Sequence, residues 1–134
     1  MYKKTITYTD YEGETRTEDF YFNLTKAELI ELQSSEAGGL EKMLNRVVAE
    51  RNQGKIIAVF KKIILAAYGE KSADGKRFVK KDKDGTPLSQ YFEETEAYAE
   101  LFTKLLTKEE AATEFVNSIV PADIAKQIPQ NVNA

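Results

Sequence analysis

The hydrophobic pattern changes period at Asn23, and that change constrains the fold more than any other feature of the chain. Before it, Tyr2, Lys4, Ile6 and Tyr8 alternate with Lys3, Thr5, Thr7 and Thr9. A period of two sends successive side chains to opposite faces of a strand. A second run of β-forming residues extends from Glu14 to Phe22 and ends in the aromatic cluster Phe20-Tyr21-Phe22. Between the runs stands Asp10-Tyr11-Glu12-Gly13, in which Asp opens a type I turn and Gly takes the left-handed position of a bulge. The two runs are therefore expected to close as an antiparallel hairpin. Alone in water such a hairpin is only marginally stable, so this one must pack on something.

After Asn23 the spacing becomes helical. Thr25 with Glu28 forms a capping box and Leu24 against Leu29 a hydrophobic staple, which starts a helix at Lys26 and lets it run to about Ser34-Ser35. Gly38-Gly39 marks a joint before a second helix with the stripe Leu40, Met43, Leu44, Val47 and Val48, closed by Asn52-Gln53-Gly54. A third helix, Lys55 to Tyr68, is apolar around most of its circumference and reads as the centre of the domain, with Gly69 as its C-terminal cap. Residues 70–86 turn to Lys, Asp and Gly and read as an exposed charged loop with at most a short extended segment. Thr86 and Pro87 read as the N-cap and first residue of a fourth helix carrying Tyr91, Phe92, Tyr98, Leu101, Phe102 and Leu105. Thr107 with Glu110 opens a fifth, which stops before Pro121. A short turn over 122–127 and a disordered tail over 129–134 complete the chain. The fold class is α+β: an N-terminal β-hairpin, residues 1–24, packed on a mostly α-helical domain of about five helices, residues 25–128, in a single domain overall. Leu, Ile, Val and Phe number 33 of 134 residues, enough for one real core and too few for two.

The chain contains no cysteine and no histidine, which removes disulfides, Cys/His metal sites, thiol nucleophiles and every mechanism that needs an imidazole base. The stretch Gly69 to Arg77 orders Gly, Gly and Lys as a phosphate-binding loop does. It spaces the glycines by five residues instead of four, places Arg77 where a magnesium-holding hydroxyl belongs, and follows a helix rather than a strand. Asp82-Lys83-Asp84-Gly85 opens like a calcium loop but has Tyr91 where the bidentate glutamate belongs, so it reads as a turn. Glu93, Glu96 and Glu100 share one helix face with Lys104 a turn further on, which is a solvated face. No cofactor, no metal and no enzymatic activity are expected. A net charge of −3 and a pI near 5.2 favour neither nucleic acid nor an anionic membrane. The longest apolar stretch, Ile56 to Tyr68, is interrupted by Lys61 and Lys62 and falls well short of the roughly 20 residues of a membrane span.

What remains is an interaction surface. Tyr2, Ile6, Tyr8, Phe20 and Phe22 on one short hairpin are more apolar surface than two strands can hide, so these residues are expected to join an interface, with a second copy or with another protein. Lys76 and Arg77, in a basic stretch interleaved with Asp74, Asp82 and Asp84, are candidates for an electrostatic contact with an acidic partner.

Three blocks together resemble the tail assembly chaperones of long-tailed phages and prophages of Gram-positive bacteria. They are Thr17 to Leu29, Phe60 to Val79 with Ala66-Ala-Tyr-Gly-Glu-Lys-Ser-Ala-Asp-Gly-Lys-Arg-Phe78, and Thr95 to Phe102 followed by Ala111-Ala112 and Ile119-Val-Pro-Ala-Asp-Ile124. The resemblance spans Lys3 to about Ala125, and the middle block is the most specific. It implies a small protein of the host cytoplasm, absent from the mature virion, that binds the tape measure protein while tail-tube subunits polymerise around it. It names the major tail protein and a frameshifted longer form of the same chain as further partners; a homo-oligomer is expected separately, from the hairpin's exposed edges and aromatic residues. The alternative reading is a structural tail or head-tail completion protein of the virion.

Overall fold

The computed structural model describes residues 1–34 and 54–120. The hairpin is present: β1 (Tyr2–Thr9) pairs antiparallel with β2 (Thr15–Phe22), Tyr2 opposite Phe22 and Thr9 opposite Thr15. Gly13 adopts a φ of 84° at the turn, which glycine reaches without steric cost. The Asp10 carboxylate accepts the amides of Glu12 and Glu14 at 2.8 and 2.9 Å. The capping box forms as well: the Glu28 carboxylate accepts the Thr25 amide at 2.8 Å, and Thr25 Oγ1 accepts the Glu28 amide at 3.2 Å. It opens α1 (Lys26–Ser34), over which Leu24 and Leu29 are both buried.

The sheet has four strands, not two. Helix α2 (Gly54–Ala67) ends one residue earlier than expected, and the chain passes directly into β3 (Tyr68–Lys71), followed by β4 (Phe78–Val79), giving the order β1-β2-β3-β4. Two contacts cause this. The Asn23 amide donates to Ala67 O at 2.7 Å, and the Tyr68 ring stacks on Phe92 at 4.3 Å with 4° between planes. Together they hold the residue after the helix in extended backbone. Gly69 is therefore a strand residue rather than a helix cap. A Cβ there would lie 2.6 Å from Phe78 Cε2 and 2.8 Å from Val79 O, so only glycine lets β4 approach.

The charged segment is also more ordered than a loop. Beyond β4 the chain repeats the first turn: the Asp82 amide donates to Thr86 O and the Gly85 amide to Asp82 O, as Asp10 does to Glu14 O and Gly13 to Asp10 O. Asp82 Oδ1 accepts the amides of Asp84 and Thr86, both at 2.9 Å, matching Asp10. Lys81 then bridges to Pro87.

The fourth helix is broken in two. Pro87 occupies the N-cap position of α3 (Leu88–Glu93), and Thr95 caps α4 (Glu96–Thr107), its Oγ1 accepting the Tyr98 amide and donating to Phe92 O at 2.7 Å. The capping box expected at Thr107 and Glu110 does not form. Lys108 holds the cap of α5 (Glu109–Ile119), and Thr107 turns back to donate to Thr103 O at 2.9 Å. The expected Gly38-Gly39 joint, the helix after it, the turn over 122–127 and the tail over 129–134 lie outside the described residues.

Phe22, fully buried, is an aromatic hub of the core. Rings from four other elements surround it: Tyr2 at 6.1 Å, Tyr68 and Phe92 at 5.7 Å, and Phe115 at 5.6 Å. Helix α2 buries Phe60, Ile63, Ile64 and Ala67 on one side and exposes Ile57, Lys61 and Lys62 on the other.

Two predictions arise here. Gly69→Ala is expected to lower thermal stability and to displace β4, read as loss of the amide chemical-shift pattern of Phe78 and Val79; an unperturbed spectrum would show that the close approach is not needed. The turn carboxylates give an acid dependence. The Arg16 guanidinium, then the Glu14 amide, hold Asp10 below the usual carboxylate range, and the Tyr91 hydroxyl, then the Thr86 amide, do the same for Asp82. A carboxylate depressed in the folded state stabilises fully above its ordinary pKa and loses that contribution as pH falls through the depressed value. The amide shifts of Glu14 and Thr86 should therefore move together as the pH drops below the ordinary aspartate value of 3.8, and constancy there would contradict the turn geometry.

Candidate functional site

The aromatic residues expected at an interface are occupied inside the chain. Phe22 is completely buried, Tyr2 and Ile6 are each 6% exposed, and Tyr2 meets Phe115 edge-on at 5.2 Å. Burial, with Glu114 second, pushes the Tyr2 hydroxyl above its ordinary pKa. Tyr8 and Phe20 are partly buried against the same core. The Tyr8 hydroxyl donates to the Glu18 carboxylate at 2.6 Å, and the Phe20 ring lies 5.3 Å from Phe92. The expectation of surplus apolar surface assumed a two-stranded sheet; β3 and the helices α3 to α5 supply the missing cover. Lys76 and Arg77 are exposed at the β3–β4 turn, where their backbone amides donate to Asp74 Oδ1 and Ser72 Oγ, both at 3.0 Å.

One cation of the charged segment behaves otherwise, and its position in a run of lysines gave no signal of it. The Lys80 ammonium donates to Asn23 O at 2.9 Å and to Ala66 O, pairs with Glu28 at 3.2 Å and lies over the Phe78 ring. Burial pushes its pKa down while Glu28 opposes the shift. It clips the segment after β4 to the ends of β2 and α2 and to the start of α1. The expected glutamate face does not act as a unit: Glu93 pairs with Lys61 at 2.6 Å, and Glu100 lines a cleft between β1 and α4. Among the described residues no acidic cluster is placed to hold a metal ion.

The sheet has two edges of different character. On β1, Lys4 points inward between strand and helix, in a cleft of about 190 Å³ that it shares with Lys104. Lys104, then burial, pushes the Lys4 ammonium down. An inward-pointing charge is a recognised guard against edge pairing. On the other side, β2 and β3 pair only at Tyr21 with Gly69 and Phe22 with Tyr68, then part. Antiparallel ladders alternate, and the bonds Asp10 N–H to Glu14 O and Asn23 N–H to Ala67 O set the phase. Even-numbered residues of β2 face β1; Thr15, Thr17 and Asp19 turn their backbone N–H and C=O toward the gap. From Asp19 onward the gap forms a groove of about 420 Å³ lined by Glu18, Phe20, Tyr68 and Glu70 among others. Burial, then Glu70 and Glu18, push the Tyr68 hydroxyl up to about 12.

Among the described residues no helix is long and apolar enough to cross a membrane. No curated protein and no solved structure matches the chain at a significant level. A family model described as phage tail assembly chaperone matches residues 1–134, the whole chain. The blocks that carry the resemblance are those that build the observed architecture: the capped junction from β2 to α1, the helix-to-strand passage at Tyr68-Gly69, and the α4–α5 pair. With the match covering the full sequence, the chain belongs to the phage tail assembly chaperone family.

Proposed function

We propose that this protein holds the tape measure protein in the host cytoplasm while the tail tube is built around it, and is released before the virion is complete. The observation that carries the reading is membership of the chaperone family along the entire chain. The physics is consistent with it. A protein that holds a client needs surface and no chemistry, and several titratable side chains of this one serve turns, clips and ion pairs. It is read as a binding protein without enzymatic activity. Its open β2 edge offers backbone groups to an extended chain, a recognition mode that tolerates varied sequence because the main chain supplies the affinity. The major tail protein, a frameshifted longer form and further copies of the chain are the other proposed partners. Many weak contacts along one long client gain by avidity.

Co-expression with the tape measure protein of the phage that encodes this chain tests the reading. The soluble fraction of tape measure protein is expected to rise severalfold and to co-purify with the chaperone, while mass spectrometry of finished particles finds none of it. Insoluble tape measure protein in its presence would overturn the proposal, and stoichiometric copies in virions would favour a structural tail protein instead.

A further inference from the structure

The β2 edge facing β3 differs from an ordinary strand edge in three respects. Three successive outward-facing residues, Thr15, Thr17 and Asp19, leave their backbone N–H and C=O groups unpaired among the described residues. The strand beside them departs after two pairs, so the edge opens at Asp19 onto a preformed groove and continues through the exposed Thr17 and Thr15. The groove is net acidic: among its lining residues Glu18, Asp19 and Glu70 outnumber the cation Lys71. Of the three carboxylates, Glu18 is shared with Arg16 and Asp19 with Lys3, both at 3.5 Å, whereas Glu70 has no ion pair among the described residues. Lys71 is drawn aside over the Tyr21 ring, 4.6 Å from its centre.

We propose that this edge takes an extended segment of the client chain as an added strand, with a lysine or arginine of that segment between Glu18 and Glu70 and its stem on the rings of Phe20 and Tyr68. The inference rests on the chaperone reading and assigns it a surface. Charge decides between occupants. A second copy would bring its own Glu18, Asp19 and Glu70 to the same groove and meet like charge. A basic extended segment meets opposite charge and gains the main-chain bonds as well. The β1 edge is a poor alternative, because Lys4 and Lys104 occupy its cleft.

The test uses the whole chain, isotope-labelled, titrated with a blocked peptide of alternating threonine and valine bearing one central lysine, and with its glutamate counterpart. The lysine peptide is expected to shift the amides of Thr15, Thr17 and Asp19, and the glutamate peptide to leave them in place. Glu70→Lys reverses an exposed side chain that holds no ion pair, so the fold is retained while affinity for the lysine peptide falls about tenfold. Equal binding of both peptides, equal binding by Glu70→Lys, no binding at all, or edge shifts that follow protein concentration without peptide would overturn the proposal, the last by placing a second copy on the edge. Co-expression separates the two readings. If the wild type keeps tape measure protein soluble and Glu70→Lys does so equally well, the edge assignment fails and the chaperone reading stands. If the wild type fails to keep it soluble, the chaperone reading fails and the peptide titration still decides the edge.

Discussion

One ring holds this fold together. Phe22 is in contact with aromatic side chains from β1, β3, α3 and α5, so five elements that are distant in sequence meet at a single buried side chain. Edge-to-face and tilted aromatic pairs contribute roughly 0.5–1.5 kcal/mol each beyond the area they bury, and full burial of the ring adds about 2–3 kcal/mol. Against a total stability of about 5–15 kcal/mol for a domain of this size, that is a large share for one side chain. The consequence is architectural. A hairpin whose last residue is an aromatic hub of the core cannot be an appendage, and the sheet and the helices become one cooperative unit.

This arrangement explains which parts of the fold were legible in the sequence. Local signals survived where the chain determines its own geometry. The alternation from Tyr2 to Tyr8 made a strand, Thr25 and Glu28 made a cap, and the Asp-x-x-Gly pattern at Asp10 made a turn whose hydrogen bonds recur at Asp82. Elements created by tertiary contact were not legible. Tyr68-Gly-Glu-Lys71 has no strand composition; it is extended because Tyr68 must stack on Phe92 and Asn23 must reach Ala67. The break at Thr95 likewise follows from packing. Phe92 lies on the aromatic cluster while Leu101 and Leu105 bury beneath the sheet, and one straight helix spanning these residues is replaced by a Thr95-capped corner.

The candidate surface shows the same division. Aromatic residues on a short hairpin implied an interface only while the sheet was counted as two strands; once β3 and α3 are present, Tyr2, Ile6 and Phe22 belong to the core. What sequence could not show is where the backbone remains unpaired, because that depends on β3 leaving β2 after two residue pairs. The resulting sheet has a guarded edge and an open one. Lys4 and Lys104 guard β1, and the groove beside β2 carries the opposite charge. Half-buried hydrogen bonds, those of Lys80 to Asn23 and Ala66, then fix the segment after β4 without consuming that edge.

Native-state hydrogen exchange under increasing denaturant tests the central claim most directly, because it asks whether the hairpin opens with the helices or before them. If Phe22 unites the two, the bonded amides of Lys4, Ile6, Glu18 and Phe20 exchange only through the same global opening as those of Leu101 and Leu105, with the same free energy and the same denaturant dependence. Exchange of the hairpin amides through a separate, lower-energy opening, while the helix amides stay protected, would contradict the account and return the hairpin to the status of a detachable arm.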